Sequence, residues 1–163
     1  MAFRLELTIR RLGRGDGSVL ALIAREAPDF DLAGRTSSEQ PLAPDDAAEY
    51  LVDADVLHWI AEMEGRVVGE LLCHLLRMPS GSGPELLLYS IGVRESYRRQ
   101  GVGRALVEEM IRWMRHEGIP EVWVLADNPG AEAFYAACGF RHGEDHEQGV
   151  LMAWRTARTG HPA

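Results

Sequence analysis

With 163 residues, 46% of them apolar and 26% charged, the chain has the length of one compact core and the composition of a globular protein, which excludes the disordered and fibrous classes. A formal net charge of -8 repels nucleic-acid phosphates and anionic lipid and attracts small cations, although acidity for solubility alone gives the same number. Apolar runs such as 86–88 and 122–125 are far too short to cross a bilayer, and Cys73 and Cys138 lack metal-type spacing. With no secretory leader ahead of them, the expected location is the reduced cytoplasm, away from membrane and nucleic acid.

Residues 4–10 alternate, with Leu5, Leu7 and Ile9 on one face, which predicts a half-buried first strand. Asp16 or Ser18 is placed to cap a helix running to about Ala27, after which Pro28, Gly34, Pro41 and Pro44 break regular structure. A second short helix is predicted over 45–52, because its acidic start suits the positive end of a helix. Val56–Met63 and Arg66–Leu76 read as a hairpin closed by Glu64-Gly65, where Gly permits positive φ. Past a loop of Pro, Gly and Ser, Glu85–Val93 is apolar enough for a central strand buried on both faces.

Val102, Leu106, Met110, Trp113 and Met114 then recur at helical spacing over 101–116, and Gly118 and Pro120 end the helix. A buried strand is predicted over 122–126 and a helix over 129–138, with Pro in its first turn and Gly139 as its stop. Residues 140–147 and 150–155 predict a closing strand pair around Gln148-Gly149. The chain reads as one domain over 1–155 with a frayed tail at 156–163, and shows no repeat or linker.

The sharpest signal is Arg98-Arg99-Gln100-Gly101-Val102-Gly103-Arg104-Ala105, set between a buried strand and a strong helix. Glycines at 101 and 103 remove side chains where a ligand approaches the backbone, and the first helical turn leaves unpaired N–H groups. With the helix dipole, Arg98, Arg99 and Arg104 make this a pyrophosphate site in a chain that is otherwise acidic. The chain contains neither GxGxxG after its first strand nor GxxxxGK[ST], so dinucleotide and nucleoside-triphosphate readings lose their main support.

Together with Ala126-Asp127-Asn128-Pro129-Gly130-Ala131-Glu132-Ala133-Phe134-Tyr135-Ala136-Ala137-Cys138-Gly139-Phe140, that turn resembles the two signatures of the GCN5-related N-acetyltransferase (GNAT) superfamily. These are a [Q/R]xxGx[G/A] turn after strand four, and an Asn, an aromatic pair and a Gly-Phe after strand five. The resemblance implies an α/β (α+β) fold: a mixed, mostly antiparallel sheet of six to seven strands flanked by about four helices, with strands four and five splayed apart. It further implies that acetyl-CoA enters the splay, with pantetheine pairing to Ile91, Gly92 and Val93. The pyrophosphate then rests on amides from Gln100 through Gly101, Val102 and Gly103 to Arg104. Asn128 holds the pantetheine arm or the end of strand five, and Phe134 lies on the cofactor side. Homodimers through the last strands are common among similar folds.

Transfer to a primary amine needs a base or water chain for the amine proton and an acid for the departing thiolate. Tyr135 stands at the motif position where the family commonly carries a tyrosine near the sulfur, and is the acid candidate; a core aromatic is the alternative. Asp127, at the end of strand five, can receive the amine, bind it as a cation or relay its proton. Glu85 is a second candidate base, or a cap for the loop before strand four. His142, His146 and the Asp145-His146-Glu147 cluster fit an acceptor border or a solvated turn equally, and no metal is expected because no second ligand cluster has suitable spacing.

The run from Leu86 to Gly101 and Ala126-Asp127 is also similar to aminoglycoside 3-N-acetyltransferases, which tend to carry an acidic residue where this chain has Ser90. That similarity puts Tyr89, Ser90 and Asp127 at the acceptor. Asp29, Asp31, Glu39, Asp45, Asp46 and Glu49 crowd the segment that usually walls that side, offering carboxylates to a polycation or simply a solvated acidic face. The small-molecule amine is therefore expected to be an aminoglycoside or similar polyamine. The alternatives are a protein or peptide amine, and a CoA-binding regulatory module without turnover.

Overall fold

The structure is a computed structural model and describes residues 6–30 and 40–142. Its elements run β1 (Leu7–Arg11), α1 (Gly17–Arg25), α2 (Pro44–Val52), β2 (Val56–Met63), β3 (Arg66–Leu76), β4 (Glu85–Val93), a 3-10 turn (Glu95–Tyr97), α3 (Val102–Glu117), β5 (Val122–Trp123) and α4 (Pro129–Ala137). The strands lie in sequence order in one sheet, antiparallel except for the parallel β4–β5 pair. A mixed, mostly antiparallel sheet with four helices was expected, and it is found.

Two cores sandwich the sheet. On one face Leu57, Trp59, Leu71, Cys73, Leu86 and Leu88 meet Val102, Leu106 and Met110 of α3. On the other, Ile60 and Val67 meet Leu12, Ile23, Phe30 and Leu51, from α1, α2 and the segments beside them. The alternation of side chains along β2 divides its residues between these cores. Gly69 sets the approach of α3, since a Cβ there would stand 2.9 Å from Val102 Cγ1 and 3.1 Å from Leu106 Cδ1.

Several expectations are corrected. The described sheet has five strands, and the predicted closing pair begins at 140–142 without strand structure, while 143–155 lie outside the described residues, as does the tail at 156–163. Strand β1, expected over 4–10, spans Leu7–Arg11 and ends one residue later, because Leu7 to Arg11 find partners from Met63 to Trp59. Asp16 does not cap α1 with its side chain; it accepts from the Gly13 N–H at 2.8 Å and from Arg10 at 3.0 Å, closing the turn before the helix.

Strand β4 is buried on alternate residues rather than on both faces, because β5 accompanies only its first residues. Strand β5 stops at Trp123, and Leu125 beyond it is 65% exposed. Apolar composition alone misjudged that segment: once β4 and β5 part, Val124 and Leu125 lose the ladder that would have made them interior.

Candidate active site

Strands β4 and β5 pair only at Leu86–Val122 and Leu87–Trp123, so they fork immediately beyond these residues. One side of the fork carries Leu88 to Val93 of β4; the other carries 124–128 and the start of α4. Glu85 lies on the closed side of the fork, opposite Leu76 at the start of β4. Ile91, Gly92 and Val93 form the open end of β4 and lead into the 3-10 turn and α3.

The turn into α3 is shaped for an anion. Arg99 and Gly101 both have positive φ, at 63° and 84°, and a Cβ on Gly101 would meet nothing within 4 Å. Among the described residues no side chain caps the helix, and its first internal bond is Ala105 N–H to the Gly101 carbonyl, so the amides before Ala105 have no intrahelical acceptor. Gly103 is small for a different reason from the one expected: its Cβ would stand 3.2 Å from the Phe134 ring, so α4 rather than a ligand occupies that space.

The arginines of the turn shape it as well as charging it. Arg98 donates to the Val93 carbonyl at 3.0 Å and to the Asp29 carbonyl at 3.3 Å, and Arg104 donates to the Ala137 carbonyl at the end of α4. Gln100 donates to the Ser96 carbonyl. The guanidinium groups of Arg98 and Arg104 therefore tie β4, the turn and α4 together while staying exposed at the mouth.

Across the fork, Asn128 caps α4 by accepting the Ala131 N–H at 2.9 Å, and its amide donates to Asp127 at 2.8 Å. This local duty accounts for the Asn-Pro pair, since Asn is a strong N-cap and Pro fits the first helical turn. Asp127 stays exposed beside it. Tyr135 is 7% exposed, its ring 5.3 Å from both Phe134 and Phe140, on the α3 face of the sheet.

The opposite face carries a polar group that sequence reasoning named only in part. Pairing shifts between Leu72 and Cys73, which face Ser90 and Leu88, so Tyr89 bulges from the ladder. The bulge brings Ser90 to the face of Glu70 and leaves Tyr89 exposed, edge-on to His74 at 5.6 Å between centroids. Burial raises the Tyr50 hydroxyl to about 12, with Glu70, Asp53 and Tyr89 adding to the shift. Burial also lowers His74, with Asp53 opposing and His58 reinforcing that shift.

His58 and Glu70 were missed. Each is the one polar residue in an apolar stretch of its strand, Val-Leu-His-Trp-Ile and Val-Gly-Glu-Leu-Leu, and that interruption was the available signal. Of the acidic residues expected along the acceptor wall, Asp29 is bound to the buried Arg94 at 2.7 Å, and that bond holds its carboxyl below the ordinary range. Arg94 also meets Glu26 and the Val67 carbonyl and stacks over Phe30. Asp45, Asp46 and Glu49 line an open concavity with Arg14, while Asp31 and Glu39 lie outside the described residues. His142 is exposed and paired with Glu132; Asp145, His146 and Glu147 lie outside the described residues. Among the described residues there is no cluster able to hold a metal, and no helix long and apolar enough to cross a membrane.

A model of the acetyltransferase (GNAT) family matches residues 21–140. N-acetyltransferase 8 of Rattus norvegicus is 29% identical over 94 residues, which are 56% of this chain and 42% of that protein. The ribosomal protein bS18-alanine N-acetyltransferase of Escherichia coli strain K12 is 41% identical over 58 residues, 34% of this chain and 39% of that protein. The matches thus span less than half the length of these two curated relatives. An aminoglycoside acetyltransferase from an uncultured soil metagenomic sample, crystallised with sisomicin, shares the fold with a TM-score of 0.76 at 22% identity, over 93% of this chain and 97% of that one.

Proposed function

Because the chain belongs to the acetyltransferase (GNAT) family, we propose that it moves the acetyl group of acetyl-CoA directly to a primary amine of a small polycation, an aminoglycoside or similar polyamine. The observation that carries this reading is the uncapped start of α3 at the open end of the β4–β5 fork, a set of amides and positive dipole that suits a diphosphate. The residues present fit acetyl-CoA: Gly101 leaves open space over the amides, and the β4 edge at Ile91, Gly92 and Val93 is free of β5 for an extended arm. Acetyl-CoA supplies an acetyl thioester, an acyl group already activated toward amines.

The chain's own residues supply position and protons. Arg98 and Arg104 brace the mouth, Asn128 fixes the start of α4, and Phe134 seats that helix on Gly103. Tyr135 is the group that protonates the leaving thiolate, a reading supported by its burial on the α3 face beside the fork. Asp127 receives the acceptor as a cation at the exposed lip, and Tyr89 and Ser90 line the acceptor side. Glu85, on the closed side of the fork, is the weaker candidate for base.

The acidic chain and the polar face beyond Ser90 favour a cationic small molecule, in keeping with the sisomicin-bound structural neighbour. The alanine N-acetyltransferase relative favours a peptide amine as the second reading. Thiol release from acetyl-CoA, measured against sisomicin, spermidine and an alanine-initiated peptide, separates them. Turnover with sisomicin or spermidine is expected. Turnover with the peptide alone overturns the substrate class, and coenzyme A binding without turnover on any amine replaces the enzyme with a binding module.

A further inference from the structure

Three polar side chains from three adjacent strands are buried together: His58 at 5% exposure on β2, Glu70 at 1% on β3 and Ser90 at 6% on β4. His58 Nε2 lies 2.8 Å from Glu70 Oε2, and Ser90 Oγ donates to Glu70 Oε1 at 3.2 Å. Glu70 faces the α1–α2 side, because it stands directly opposite Ile60 of that core, and His58 lies two residues earlier on the same face. The far nitrogen, His58 Nδ1, is buried and has no partner among the described residues.

Such an arrangement opposes folding unless it serves something. A carboxylate inside a sheet loses its hydration, and apolar residues of similar size would pack there at no such penalty. An orphaned buried nitrogen adds to the cost and needs its own explanation. The placement supplies one: Ser90 belongs to the bulge that follows the fork, and it is the member of the trio carried on β4, the strand along which the thioester would lie. Tyr135 stands on the other face of the sheet.

We propose that Ser90, Glu70 and His58 form the relay that takes the proton from the attacking amine, with Ser90 Oγ touching the substrate and Glu70 and His58 acting through it. This rests on the acetyl-transfer reading above and names its missing base. The neutral amine nitrogen bonds to the acetyl carbon as its N–H proton is passed to Ser90 Oγ and the Ser90 proton moves to Glu70 Oε1, within reach of the Oε2–Nε2 contact with His58. The carbon–sulfur bond then breaks, Tyr135 gives its proton to the thiolate, and the tyrosinate regains a proton from solvent as the relay releases its own. Proton removal and proton delivery thus lie on opposite faces of the sheet, and Asp127 is left to hold the cation.

Tyr50 from α2, His58 from β2 and Cys73 from β3 interact with Glu70; Asp53 and Tyr89 act on Tyr50, and Asp53 and His58 act on His74 of β3. Tyr50 and Cys73 are both held neutral by burial, with Glu70 adding to each shift, so neither is an acid near neutral pH.

The test is the pH profile of kcat/KM for the amine accepted in the screen, with coenzyme A affinity measured in parallel by calorimetry. Glu70→Gln is expected to bind coenzyme A as the parent does, to lose about 10²–10⁴-fold in kcat, and to lose the acidic limb of the profile. His58→Gln is expected to displace that limb. Ser90→Ala is expected to lose rate and Ser90→Thr, which keeps the hydroxyl, to recover it. An unchanged acidic limb in Glu70→Gln overturns the relay and leaves acetyl transfer standing. If Glu70→Gln does not fold, equal rates in Ser90→Ala and Ser90→Thr overturn it instead. Absence of turnover in the parent on every amine overturns the acetyl-transfer reading and the relay with it.

Discussion

Gly69→Ala probes the contact that positions the anion site. The new Cβ would stand 2.9 Å from Val102 Cγ1, 3.1 Å from Leu106 Cδ1 and 3.3 Å from the Gly92 carbonyl oxygen. The carbonyl belongs to the neighbouring strand and cannot step aside, so the helix must. Replacing a strand glycine by alanine returns about 0.5–1 kcal/mol of chain entropy, whereas overpacking a tight core costs about 1–3 kcal/mol. A net loss of about 1–2 kcal/mol is expected, which lowers Tm by about 2–8 °C in a domain of this size.

Val102 opens α3, so the same displacement moves the amides of the anion site, and coenzyme A affinity falls with stability. In the double variant Gly69→Ala/Val102→Ala the nearest clash is gone. Urea denaturation should then show a favourable coupling of about 1 kcal/mol, within the range for residues in contact. A Gly69→Ala protein more stable than the parent, or strictly additive effects in the double variant, would refute the close-approach reasoning.

Arg94→Leu removes the cation that joins Glu26, Asp29 and the Val67 carbonyl; because both carboxylates are exposed, a loss of about 2 kcal/mol is expected in denaturant melts, below that of a fully buried broken pair. The Arg94 hydrogen bond depresses the Asp29 carboxyl, so its contribution is complete above the ordinary Asp range and fades as pH falls through the depressed value. Acid melts below about pH 4 should therefore be flatter in Asp29→Asn than in the parent. Asn128→Ala deletes the α4 cap and should cost about 1 kcal/mol by the same assay, with a further loss of turnover if α4 carries the acid. Tyr135→Phe keeps the ring contacts with Phe134 and Phe140, so the variant should fold while kcat drops by about 10²-fold or more; an unchanged kcat removes Tyr135 from the chemistry.

Where local chemistry decides structure, the sequence was legible. The Glu64-Gly65 hairpin and the spans of β2, β3 and β4 emerge as read, because a positive-φ glycine and apolar runs bounded by turn residues act within a few residues. Helix α3 likewise begins after Gly101 and ends before Gly118, both left-handed. The rest depended on neighbours. The pattern of 122–126 does not say that β4 and β5 part after two pairs, and an Arg-rich turn does not say that Arg98 and Arg104 will spend donors on carbonyls. Glu70 and His58 were invisible as partners because their contact crosses two strands whose register is set by a bulge between Ala61 and Glu62.

Calorimetric titration of the folded chain with coenzyme A, beside Gly101→Asp, addresses the anion site itself. Asp visits positive φ more readily than most residues but is still strained at the +84° of Gly101, so the variant should fold with a Tm lowered by a few degrees while placing a carboxylate over the uncapped amides. Saturable binding by the parent, weakened more than about tenfold in Gly101→Asp, which corresponds to about 1.4 kcal/mol, is the expected result. No heat of binding in the parent, or equal affinity in the variant, contradicts the assignment of the α3 start as the diphosphate cradle.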